Sequence, residues 1–206
     1  MMKMHSSINV AAALVVLGAL AGCSLAPKGD PSQFFVLTSA SATPASVGDR
    51  DLDLAIGLGP VSVPEYLRRP QMVTRAGPNE ISYAEYDRWA EPLDNSLVQV
   101  LGENLSSVLG GADIALHPWF STTQLDFVVQ IEVQRFERDA SGAAKLVCVW
   151  VLQDGATGDR VAEGQFERNE PAESETTGAS VAAQSRLLGM LALEIATAVS
   201  GKMPSF

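Results

Sequence analysis

The sequence predicts an α+β fold: a mixed or antiparallel sheet with two amphipathic helices packed on one face. Three observations predict it. Leu125, Phe127, Val129, Ile131 and Val133 alternate with Asp126, Gln130, Glu132 and Gln134, the two-residue period of a half-buried strand. Two more strand-like runs, 144–152 and 160–167, follow across short connections, as in an antiparallel meander. Outside this trio the apolar period lengthens to three and four residues, once over 93–109 and again over about 180–200, which makes two helical stripes. Strands in runs broken by two helices are unlike the strict alternation of a doubly wound chain. At 206 residues one domain is expected.

Composition removes several functions. The chain carries 14 Lys+Arg against 24 Asp+Glu, a formal net charge of −10, and so lacks the basic face that nucleic-acid phosphates require. A hydrophobic content of 47% is too high for a disordered chain, and the apolar runs are too scattered for a multi-span membrane protein. Two Cys and two His leave neither a disulfide framework nor zinc-finger spacing.

The amino terminus reads as an export signal. Lys3 supplies the positive start, and residues 10–20 form a small-residue apolar run, shorter than the ~20 residues that span a bilayer. The run ends in Leu20-Ala21-Gly22-Cys23, which resembles the lipobox of bacterial lipoproteins. That resemblance implies a signal peptide over 1–22, cleavage before Cys23, and acylation of Cys23 as the membrane anchor. Several acyl chains hold a protein stably where one holds it marginally. Ser24 stands where an Asp would resemble an inner-membrane retention signal, so the periplasmic face of the outer membrane is expected. Cys148 is then the lone thiol in an oxidising compartment, and its apolar neighbours Leu146, Val147, Val149 and Trp150 place it in the core.

The mature chain then unfolds in order. Residues 23–32 contain Pro27, Gly29 and Pro31 and read as an acylated tether; 33–206 read as a single domain. Residues 33–38 are a strand on aromatic and β-branched content, and 39–51 a small polar loop. A weak strand at 53–58 should end at Gly59-Pro60, because proline lacks the ladder's N–H. Short strands at 71–75 and 80–83 flank the turn Gly77-Pro78-Asn79. Pro92 suits the first helical position and Gly110-Gly111 the stop, with Leu93, Leu97, Val100, Leu101, Leu105, Val108 and Leu109 on one stripe. A short strand at 112–116 precedes the meander, whose middle run 144–152 is apolar on both faces and should be central. An acidic loop over 169–178 leads to the last helix, with Val181, Gln184, Leu188, Leu191, Ile195 and Val199 on one face.

No catalytic set is visible. His117 is the only histidine left after cleavage and lies beside Pro118, weak support for a triad. Asp51 and Asp53 lack further ligands for a metal, and Gly57-Leu58-Gly59-Pro60 lacks the third glycine of a phosphate loop. The acidic pairs Glu163/Glu167 and Glu173/Glu175 lie in polar settings that would not raise a carboxyl pKa. Neither a catalytic residue, a metal site nor a cofactor is expected. Arg68-Arg69 is a compact basic site in an acidic chain, suited to an anionic partner or simply to a charged turn.

Two stretches carry a family pattern: residues 56–75, which include Pro64-Glu65-Tyr66-Leu67-Arg68-Arg69-Pro70, and Tyr86-Asp87-Arg88-Trp89-Ala90-Glu91-Pro92-Leu93. With Phe34-Phe35-Val36-Leu37 soon after a lipobox, they resemble the ABC-type transport auxiliary lipoprotein family, whose best-known group is the PqiC-like intermembrane transport lipoproteins. The resemblance implies a non-enzymatic, outer-membrane-anchored auxiliary of an intermembrane lipid transport system. Its expected partners are a periplasmic MCE-domain protein with its permease complex, the membrane through Cys23, and a second copy of the chain. Tyr66, Arg68, Arg69, Pro70, Arg88 and Trp89 are the candidate partner-binding residues, since proline-flanked aromatic and charged side chains outside the long strands suit a recognition surface. Trp89 could equally pin the start of the Pro92 helix into the core. A structural or binding envelope lipoprotein without a transport role, and a lipoprotein hydrolase with an unrecognised site, remain open on the residues alone.

Overall fold

The structure, a computed structural model, describes residues 29–39, 54–120 and 124–203; the signal segment, the lipobox, Cys23 and most of the 39–51 loop lie outside them. The elements run β1 (Gln33–Phe35), β2 (Ala55–Ser62), a single 3-10 turn (Glu65–Leu67), β3 (Gln71–Gly77), β4 (Glu80–Trp89), α1 (Leu93–Val108), β5 (Asp113–Leu116), β6 (Phe127–Asp139), β7 (Ala144–Asp154), β8 (Arg160–Glu170) and α2 (Thr177–Ser200). From Ser32 onward they belong to one unit. Among the described residues the strands form one mixed sheet of eight, so the predicted α+β class holds.

The meander is as expected. β6 pairs antiparallel with β7, and β7 with β8, so the two-sided apolar run is flanked on both edges. β2 joins β6 in parallel, with Leu58 opposite Val129, and Val129 in turn faces Leu152. This row puts Leu58, Val129 and Leu152 on one face, where each is fully buried. Both helices cover that face. A Cβ added at Gly102 of α1 would lie 3.8 Å from Leu58 Cδ2. From α2, the Glu194 carboxylate accepts a 3.0 Å hydrogen bond from the indole of Trp150, whose cross-strand partner is Ile131. The stripes read from the sequence are the buried ones: Leu97, Leu101 and Leu105 of α1, and Leu188, Leu191 and Ile195 of α2 are at most 1% exposed. Cys148 is 0% exposed in the same core.

Three local expectations need correction. Gly59-Pro60 does not end its strand: β2 runs on to Ser62, across a register shift between Leu58 and Val61. Gly59 takes φ +122, open to a residue without a Cβ, and the irregularity accommodates the missing proline N–H. β4 does not stop near Tyr83 but continues to Trp89, because β1 pairs in parallel with its last residues, Phe35 opposite Trp89. Arg88 and Trp89 therefore sit in a long strand, not outside one. Pro92 precedes α1 rather than opening it; its carbonyl accepts from the N–H groups of Asn95 and Ser96 at 3.1 and 3.2 Å. The stop is as predicted, with Gly110 and Gly111 at φ 70 and 93.

Candidate functional site

The site begins with a vacancy along β6. One edge of β6 is fully occupied by β7. The other edge is shared: β2 takes Phe127 to Glu132, and β3 takes Arg138 and Asp139. Between them the ladder is open, and the β6–β7 register shifts between Val133 and Arg135. The 3-10 turn fills this gap. Its Tyr66 hydroxyl lies 3.4 Å from the Gln134 carbonyl and donates to Glu137 Oε2 at 2.8 Å.

Glu137 is the hub. Its side chain is 0% exposed, and Oε1 accepts from Arg75 Nε at 2.7 Å and Arg135 Nε at 2.8 Å. Oε2 accepts also from the Phe136 N–H at 3.1 Å. Burial by itself would push the Glu137 carboxyl upward, but the hydrogen bonds from Arg75, Arg135 and Tyr66 outweigh it and hold the carboxyl below its ordinary range. Burial, and next the Glu137 hydrogen bond, push the Tyr66 phenol up to about 12. An ionised carboxylate with no proton to give, facing a phenol that holds its own, is a structural clasp and ill suited to acid–base exchange.

The clasp positions the motif residues. The 3-10 turn continues into Arg68, Arg69 and Pro70, all exposed. The Pro70 carbonyl accepts from the Trp89 N–H at 2.7 Å, and Gln71 pairs with Arg88, so the two family-like stretches meet in space. Arg69 stacks over the Tyr83 ring at 4.9 Å. Arg68 lies a loose 3.7 Å from Glu65, with both side chains mostly in solvent. Arg88 is half-buried, and its Nε is buried without a hydrogen-bond partner. Trp89 is 5% exposed and packs in the core; of its two readings the structure selects the core. Tyr66 is half-buried and committed to Glu137, which leaves Arg68, Arg69 and Pro70 as the outward part of the candidate set.

Sequence reasoning missed Arg75, Arg135, Glu137 and Tyr83. The available signal was slight: residues 134–139, Gln-Arg-Phe-Glu-Arg-Asp, are too polar for a strand tucked beside a core unless the charges pair. Nearby, Arg138 Nε donates to Thr74 Oγ1 at 2.9 Å and its Nη1 to Thr177 Oγ1 at 3.3 Å, while the Thr177 hydroxyl donates to Asp87. This chain ties the start of α2 to β3, β4 and β6. Among the described residues, no group of three or more His, Cys, Asp and Glu could hold a metal, and no helix is long and apolar enough to cross a membrane.

Residues 35–196 match the family described as ABC-type transport auxiliary lipoprotein component, a span that contains both stretches and the whole clasp. The chain is similar to a Xanthomonas campestris protein of the DUF330 family solved by crystallography, at 21% identity and a TM-score of 0.63, over 82% of this chain and 97% of that one. It is similar also to an uncharacterized protein of known crystal structure, at 21% identity and a TM-score of 0.68, over 82% and 98% of the two chains. These likenesses are of fold. No curated protein matches the chain.

Proposed function

The chain belongs to the ABC-type transport auxiliary lipoprotein family, and we propose that it serves as the non-catalytic, outer-membrane-anchored component of an MCE-type intermembrane lipid transport system. Residues 1–22 are the signal peptide, Cys23 carries the acyl anchor, 23–32 are the tether, and 33–206 form the periplasmic domain. The observation that carries this function is the family match over 35–196. The site supports it: the Glu137 clasp is built for rigidity, and what it presents is a basic, proline-bounded corner on an acidic body. Arg68, Arg69 and Pro70 on that corner contact an acidic patch of the MCE-domain protein or of a neighbouring copy in a homo-oligomer, where charge complementarity gives specificity. An envelope-binding lipoprotein without transport is the alternative.

The test is co-purification of the acylated protein with the MCE-domain protein and permease of its own cell. The double variant Arg68→Glu/Arg69→Glu should weaken that association while shifting the melting temperature little, because exposed charges and one exposed cation–π contact each contribute at most about 1 kcal/mol. Full partner binding by the double variant, with an intact outer-membrane barrier, would defeat the assignment of this corner. Failure of the wild-type protein to co-purify with any MCE-domain partner would favour the alternative.

A further inference from the structure

Large apolar side chains are exposed at several places, Phe120 the most at 85%, and three of them gather beside the first strand of the domain. Phe34 is 63% exposed, Val36 53% and Tyr86 44%. They share a face. Phe34 pairs with Arg88 across the β1–β4 ladder, Tyr86 lies two residues before Arg88, and the Ala90 N–H donates to the Phe35 carbonyl at 2.9 Å, carrying the ladder to the level of Val36. The alternate residues Phe35 and Trp89 point the other way, into the core, where a Cβ added at Gly178 of α2 would lie 4.0 Å from the Phe35 ring. The outer face of this strand pair is thus aromatic and aliphatic, with the half-buried Arg88 beside it.

We propose that Phe34 and Val36, flanked by Tyr86, seat in the headgroup–acyl boundary of the same leaflet that holds the acyl chains of Cys23. The proposal rests on the anchor described above and specifies how the domain is oriented on it. Chain length selects the occupant. Phe34 follows Cys23 by eleven residues, so even fully extended chain keeps it within about 40 Å of the acylated sulfur. Acylation therefore presents a bilayer surface to this patch at high effective concentration. Aromatic and aliphatic side chains beside an arginine are the composition that partitions into the interface, the rings and methyls at the acyl boundary and the guanidinium among headgroup phosphates. The acidic body stays in water. Because the acyl chains supply the affinity, two apolar side chains suffice to set which end of the domain faces the membrane.

The test uses the full acylated protein in vesicles of phosphatidylethanolamine with a minority of phosphatidylglycerol. A nitroxide is attached at Val36→Cys, at Phe34→Cys as a second reporter, and at the exposed Gln165→Cys on β8 as the aqueous control. Cys148 takes no label in the native state, being 0% exposed. The expected result is a several-fold lower collision rate with a water-soluble nickel chelate, and a higher one with oxygen, at 36 and 34 than at 165. Equal nickel access at 34, 36 and 165, in a sample whose Cys23 is acylated by mass, overturns the seating and leaves the anchor intact. An unmodified Cys23 in protein that does not float with the vesicles overturns both. Spin–spin coupling between labels at 36 with no change in nickel access places a second copy on the patch and also overturns the proposal.

Discussion

Glu137→Gln should destabilise the domain by about 3 kcal/mol at neutral pH. The carboxylate accepts four hydrogen bonds, two of them from guanidinium nitrogens at 2.7 and 2.8 Å. A glutamine keeps one acceptor oxygen and turns an amide donor towards groups that are themselves donors. Breaking a buried ion pair from one side costs ~3–5 kcal/mol. The Arg75 and Arg135 side chains are 22% and 31% exposed and can recover part of their hydration, which places the loss at the lower end. For a domain of this size that is a drop of roughly 6–12 °C in melting temperature. The pH dependence follows from the folded carboxyl being held below its ordinary value of 4.5. A depressed folded pKa contributes stability that is complete above the unfolded value and is lost as pH falls through the folded one. The gap between wild type and variant should therefore be full at pH 7 and shrink steadily below about pH 4.5. Urea unfolding followed by circular dichroism at pH 7, 5 and 3.5 measures it. A loss under about 1 kcal/mol at pH 7, the size of an exposed pair, or a gap that does not change with pH, would refute the clasp as described.

Further outcomes follow from the core. Asn104 is 1% exposed and neither amide atom has a hydrogen-bond partner, so Asn104→Leu should raise stability by about 1–2 kcal/mol in chemical denaturation. Burial, with the Glu194 charge adding to it, pushes the Cys148 thiol up to about 12; a thiol reagent at pH 8 should label it only as fast as the protein unfolds, and Cys148→Asp should cost ~3 kcal/mol or more. A Cβ at Gly164 would sit 2.6 Å from Trp150 Cζ2, so Gly164→Ala should displace the indole from Glu194, cost about 1–3 kcal/mol and alter the near-ultraviolet circular dichroism.

The features legible before folding are those that depend on near neighbours in the chain. The stripe from Leu93 to Val108 became α1 and the stripe from Val181 to Val199 became α2, because three- and four-residue spacing defines one helix face whatever lies opposite. The alternation before Gln134 and the two-sided run around Cys148 became β6 and β7 for the same reason, and short connections made them a meander. The rest depends on residues far apart in the chain. Tyr66 and Arg75 lie 71 and 62 positions from Glu137, and no local period announces that an acid in one strand needs a phenol from a 3-10 turn and a guanidinium from another strand. The parallel pairing of β1 with β4 extended β4 as far as Trp89, and register, rather than the tryptophan's own chemistry, turned that side chain inward. By the same register Phe34 and Phe35, adjacent and identical in the sequence, were sent one to the surface and one to the core. Side-chain type is a local property and period follows from it, whereas partnership across a sheet is a property of the closed chain, where the desolvation of each buried charge must be offset by groups that only folding brings within 3 Å or so of it.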